Sequence, residues 1–161
     1  KVFGAQIVGF DGVDKRIDVL ATAIRAGLTV FDLQELELAY APPFSSAKDP
    51  VNMIAYAAAN IINQDIEVVY WHEVNKRVEG GAYLIDVRTP DEFEKGMAEG
   101  AHNIPVDEIR QHLDEIPLDK DILLYCHVGL RSYIATRILR QNGFKAKNIS
   151  GGYTLYSFLK Q

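Results

Sequence analysis

Residues 122–126, ILLYC, are apolar without a polar break. That run constrains the fold more than any other stretch. Five such residues ahead of a glycine-bearing turn are too short for a buried helix and suit a strand covered on both faces. Strands of that kind occur in parallel sheets sandwiched by helices, so the neighbouring segments should alternate strand and helix. They do. YLIDV (83–87) is a second short apolar strand, and KAKNI (145–149) is a third. Between and after them, Ile134, Ala135, Ile138 and Leu139 form a helical stripe ended by Asn142 and Gly143. Thr89, Pro90 and Glu92 read as N-cap, N1 and N3 of another helix. VDEIRQHLDEI (106–116) sets Ile109, Leu113 and Ile116 on one helical face, and GGYTLYSFLKQ predicts a final helix.

The segment before this is different. KVFGAQIVGF reads as a strand from nearly the first residue. A strand needs neighbours for its ladder, and that opening, with no initiator Met, predicts a piece of a longer protein. Ile17, Leu20, Ala21 and Ile24 mark an amphipathic helix stopped at Gly27, and residues 28–50 read as largely irregular. Asp49 followed by Pro50 is a helix start. Residues 63–71 read as a linker. Two domains are therefore expected, 1–63 and 64–161.

Charge and cysteine count limit the function. The chain has 161 residues, a net charge of -5 and one cysteine. An acidic chain lacks the basic face that nucleic acid requires. No apolar run approaches the ~20 residues that span a bilayer. A lone cysteine makes no internal disulfide, no cluster suggests a metal, and a cytoplasmic setting is the simplest expectation.

Cys126 ends the buried strand, where ligands sit in such folds. The loop His127, Val128, Gly129, Leu130, Arg131 and Ser132 would curl around its sulfur with N–H groups pointing inward, Gly129 supplying the conformation. Arg131 adds positive charge. Together these would hold Cys126 as a thiolate nucleophile, or as a persulfide. A lone cysteine is otherwise a small buried hydrophobe. A third reading is a phosphatase-like anion site, but only four residues separate Cys126 from Arg131, a ring better matched to one sulfur atom than to a phosphate. Asp86 reads chiefly as a partner for the guanidinium of Arg88 or Arg131. The carboxylates of 91–99 and 107–115 read as solvated faces.

YLIDVRTPDEFEKG, GAHNIP, ILLYCHVGLRS and NISGGY resemble, in order and spacing, the rhodanese domain. The resemblance implies a rhodanese-like parallel sheet with helices on both faces. It implies Cys126 as the persulfide-forming nucleophile, residues 127–132 as its cradle, and Asp86 with Arg88 as a supporting pair. Met97, where the family usually has histidine, and Tyr156, near the position of a usual tryptophan, depart from it. GAQIVGFDGVDKRIDVLATAI and LELAYAPPFSSAKDPVNM resemble the C-terminal dimerisation domain of flavin-dependent pyridine nucleotide-disulfide oxidoreductases, in the branch of coenzyme A-disulfide reductases and NADH oxidases. That implies a partial α+β dimerisation domain, a homodimer through residues 1–63, and Tyr40 reaching the coenzyme A site of the partner subunit. Tyr40 as an aromatic capping the dimer interface is the alternative. FAD, NAD(P)H and coenzyme A are implied for a full-length parent. None is expected on this chain, which has no GxGxxG after a strand. The resemblance implies a parent that reduces disulfide, persulfide or polysulfide substrates, coenzyme A species among them, as a flavin-dependent NAD(P)H oxidoreductase, with sulfur transfer through Cys126 as this chain's share; a non-catalytic assembly module is the remaining alternative.

Overall fold

The structure is a computed structural model describing residues 1–43 and 46–160. Phe44 and Ser45, within the YAPPFSSAKDPVN stretch, lie outside the described residues, as does Gln161. The chain divides into two compact units, Lys1–Gln64 and Asp65–Gln161.

The second unit is a five-stranded sheet in the order β1-β5-β4-β2-β3, every pairing parallel. Its strands are β1 (Val68–Val69), β2 (Tyr83–Asp86), β3 (His102–Asn103), β4 (Asp121–Tyr125) and β5 (Lys145–Ile149). Alternation along β4 explains its unbroken apolar run. Ile122 and Leu124 enter one core with Ile85, Ile109, Ala135 and Leu139. Leu123 and Tyr125 enter a second with Val69, Trp71, Val74 and Ile149. Helix α6 (Leu130–Gln141) supplies the first core, and α4 (Trp71–Glu79) the second, with Tyr153 and Tyr156 of α7 (Gly152–Leu159) packed against it. Between β2 and β3, α5 (Pro90–Glu94) starts with the expected capping box: Thr89 Oγ1 accepts from Glu92 N–H, and the Glu92 carboxylate accepts from Thr89 N–H.

Two expectations fail in this unit. Residues 63–71 are more than a linker, because Val68 and Val69 pair with Asn148 and Ile149 as edge strand β1. Residues 106–116 form no α-helix. Successive turns run from Pro105, with Glu108 N–H donating to Pro105 O and His112 N–H to Ile109 O, and end in a 3-10 turn at Leu113–Glu115. Ile109, Leu113 and Ile116 still reach the core through these turns, Leu113 and Ile116 eclipsing three residues apart across the 3-10 turn.

The first unit is α1 (Val13–Ala26), α2 (Val30–Gln34) and α3 (Pro50–Ile62) around Leu20, Ala23, Leu33, Val51 and Ala55. Gly27 N–H closes α1 onto Ala23 O and Ile24 O, and Asp49 accepts from Val51 N–H at the start of α3. The opening strand does not form. Residues 1–10 meet no neighbouring strand among the described residues; Val2 N–H reaches Leu28 O, and Val2 and Ile7 lie on the helical core. The 28–50 segment also holds α2, which its Thr29 and Asp32 capping box nucleates.

Candidate functional site at the tip of β4

Cys126 follows the last residue of β4 and is 1% exposed. The chain then reverses through Gly129, which sits at φ 135° as N-cap of α6, a backbone region that side chains rarely adopt. This reversal brings Gly129 N–H to 3.1 Å from Sγ. The Ser132 hydroxyl lies 3.5 Å from Sγ and 3.0 Å from Gly129 O. It has one proton to give, and an anionic sulfur is the stronger acceptor. Burial pushes the Cys126 thiol up. Hydrogen bonds from the Ser132 hydroxyl and from the N–H groups of Ser132, Gly129 and Val128 outweigh it, leaving the thiol below the ordinary cysteine value.

Inward N–H groups leave outward carbonyls, and a later segment takes these up. Tyr153 N–H donates to Cys126 O at 2.7 Å and Thr154 N–H to His127 O at 3.0 Å. Thr154 Oγ1 adds a second bond to His127 O at 3.0 Å. Gly152 permits the approach. It sits at φ 56°, and a Cβ there would collide with the carbonyls of Cys126 and His127. Trp71 Nε1 holds Gly152 O at 2.8 Å. The N-terminus of α7 thus fixes the loop from behind.

Two arginine–carboxylate pairs stand nearby. Asp86, opposite Tyr125 in the sheet register, accepts from Arg88 Nε and Nη2, the latter at 2.6 Å. Arg88 also donates to Gly96 O at 2.7 Å, and its guanidinium lies 3.9 Å from the Tyr153 ring centre. Burial works against its charge, and Asp86 more than restores it. Arg131, at the first turn of α6, donates from Nη1 and Nη2 to the two oxygens of Glu92, at 2.6 and 2.7 Å. Arg131 holds the Glu92 carboxyl down at about 2, and Glu92 in turn raises Arg131, as does the nearby Cys126 thiolate.

Of the residues named from sequence, the structure brings Cys126, Val128, Gly129 and Ser132 together around the sulfur. His127 contributes its carbonyl to the α7 clamp. The side chains of Val128 and Leu130 are exposed. Asp86 pairs with Arg88, and Arg131 with Glu92. The expected solvated role of Glu92 is therefore corrected: a bidentate partner 39 positions downstream engages it. Tyr40 lies exposed in the first unit. Sequence reading missed both Glu92 and the clamp from Gly152, Tyr153 and Thr154. The GG pair just beyond β5, after Ser150, was the one available signal for the clamp.

The Rhodanese-like domain pattern matches residues 71–158. The chain belongs to the rhodanese-like family. It is 47% identical to YqhL of Bacillus subtilis (strain 168) over 73 residues, 45% of this chain and 58% of YqhL. It is 55% identical to the coenzyme A disulfide reductase of Staphylococcus aureus (strain bovine RF122 / ET3-1) over 58 residues, 36% of this chain and 13% of that protein. Among solved structures, reduced Bacillus anthracis CoADR-RHD superposes with a TM-score of 0.88 and 58% identity over 91% of this rhodanese-like chain. A NAD-dependent persulfide reductase from A. fulgidus gives 0.78 and 45% over 89%. The chain spans 26% of the length of each of these two solved chains. Among the described residues no helix is long and apolar enough to cross a membrane.

Proposed function

We propose that Cys126 carries sulfane sulfur as a persulfide. The observation behind this is the pair of donors on one buried sulfur, Gly129 N–H at 3.1 Å and the Ser132 hydroxyl at 3.5 Å, in a loop whose Val128 and Ser132 amides also favour the thiolate. The Cys126 thiolate attacks the outer sulfur of a donor R–S–S⁻. A new S–S bond forms to Cys126, and the old one breaks with its electron pair leaving on the donor thiolate. The persulfide Cys126–S–S⁻ places its terminal anion in the same field of N–H dipoles. A thiolate acceptor then attacks that terminal sulfur and regenerates Cys126.

We propose further that the chain serves within a flavin-dependent NAD(P)H:disulfide or persulfide oxidoreductase, with coenzyme A species among its substrates and residues 1–63 pairing in a homodimer. The likeness to coenzyme A disulfide reductase and to a NAD-dependent persulfide reductase supports this. The two glycine-preceded helix starts beside the thiol, α6 and α7, do not fit a dinucleotide. Such a seat needs free N–H groups at a helix N-terminus behind a glycine turn. At α6 those groups face Cys126, and at α7 the carbonyls of Cys126 and His127 take them. The flavin and nicotinamide would sit on other parts of the parent and supply electrons there, while the sulfane sulfur of Cys126 would pass to a thiolate acceptor.

Mass spectrometry after incubation with an alkyl persulfide tests the carrier reading. Cys126 should gain roughly 32 Da, one sulfur atom, and Cys126→Ser should gain nothing. Absence of the adduct on the wild-type thiol would overturn the reading.

A further inference from the structure

We propose that Glu92 is a specificity-determining residue: it fills the guanidinium fork of Arg131 and turns oxyanion ligands away from the thiol. This rests on Cys126 being the sulfur carrier. The two bonds, 2.6 and 2.7 Å, occupy the end-on Nη1/Nη2 face of Arg131, one of the two faces through which a guanidinium grips a sulfonate, sulfate or phosphate at two points. An oxyanion could take that face only by displacing Glu92 and then lying beside its negative charge. Glu92 is not free to swing aside. Its Oε2 also accepts from Thr89 N–H and Thr89 Oγ1, each at 3.1 Å, at the N-terminus of α5.

The sulfur anion, meanwhile, is held chiefly by backbone amides and Ser132, with the Arg131 charge favouring it from beside the Glu92 pair. Two anion-binding devices thus lie side by side, and one is already occupied from within. A donor whose reacting sulfur bears a single charge uses the amide ring alone. Thiosulfate must also place a sulfonate, and the fork suited to it is closed. As a donor it would pass its outer sulfur to the Cys126 thiolate and release sulfite with the S–S electron pair. Glu92 therefore withdraws from such a donor the help that the Arg131 charge would otherwise give.

The test uses the full chain as wild type and as Glu92→Gln, which keeps the side-chain length and an acceptor for Thr89 but removes the charge. Alkylation of Cys126 by iodoacetamide is timed with inorganic sulfate and with chloride at matched ionic strength. Wild-type rates should agree within about twofold, whereas sulfate should slow the variant about fivefold or more, on the scale of a freed charge-assisted pair. Thiosulfate turnover should rise about tenfold in kcat/KM in Glu92→Gln, through KM, while an alkyl persulfide donor changes less than about twofold. Sulfate protection of the wild-type thiol would overturn the proposal and needs no variant. So would a folded Glu92→Gln with no gain toward sulfate, or one that loses persulfide and thiosulfate turnover alike. If neither protein accepts sulfur from any donor, the carrier reading fails, and the sulfate comparison still reports on the fork.

Discussion

Two arginine–carboxylate pairs adjoin the tip of β4, and they differ in burial. In Arg88–Asp86 the side chains are 3% and 0% exposed; in Arg131–Glu92 both are 32% exposed. The first is tied into the protein by Gly96 O and the ring of Tyr153. It joins β2 to the helix that holds the thiol loop. The second is half-exposed, tied to the Thr89 cap on the Glu92 side and to the field of the Cys126 thiolate on the Arg131 side. One chemistry thus serves two ends. Where solvent is excluded, an ion pair is architecture, because neither partner can be left alone. Where water reaches it, the pair adds little stability and is available to govern which ligands enter.

The largest effect that could break this contrast is on stability. Asp86→Ala strands a buried guanidinium and should cost about 3–5 kcal/mol, read as a lower denaturation midpoint. A loss under about 1 kcal/mol would mean the two pairs are equivalent.

An intermediate effect belongs to the thiol. Ser132→Ala removes the hydroxyl donor and should raise the midpoint of the pH–alkylation curve by about one unit. An unmoved midpoint would show that the backbone amides suffice without the hydroxyl.

The smallest effect sharpens the surface side. Glu92 lies near 2 in the folded chain against an ordinary 4.5. A depressed carboxyl contributes its stability above 4.5, and the contribution is lost as pH falls from there toward 2. Glu92→Gln should therefore lie less than about 1 kcal/mol below wild type at neutral pH, with the two curves converging in acid. A gap that persists at pH values near 2 would place the stabilisation elsewhere.

How far the sequence could be read follows from how local each signal is. The two-faced burial of β4 is written in ILLYC, and the α5 start in Thr89, Pro90 and Glu92. Cys126, Gly129 and Ser132 sit within one turn of chain, so their convergence was legible. Glu92 and Arg131 meet only after the sheet forms, and nothing local marks the meeting. The 106–116 segment shows the opposite failure: a correct set of buried residues with the wrong backbone, since successive turns can bury the same three side chains that one helical face would. Residues 1–10 failed because apolar β-formers specify an extended chain without specifying a partner.

The clamp on the Cys126 and His127 carbonyls comes from residues 153 and 154, beyond every strand of the sheet. A ribosome therefore delivers the cysteine well before the amides that hold its loop in shape. Until that later stretch emerges and docks, the nascent thiol lacks its fixed surroundings and behaves more like an ordinary one. Vectorial synthesis postpones its activation until α7 has docked.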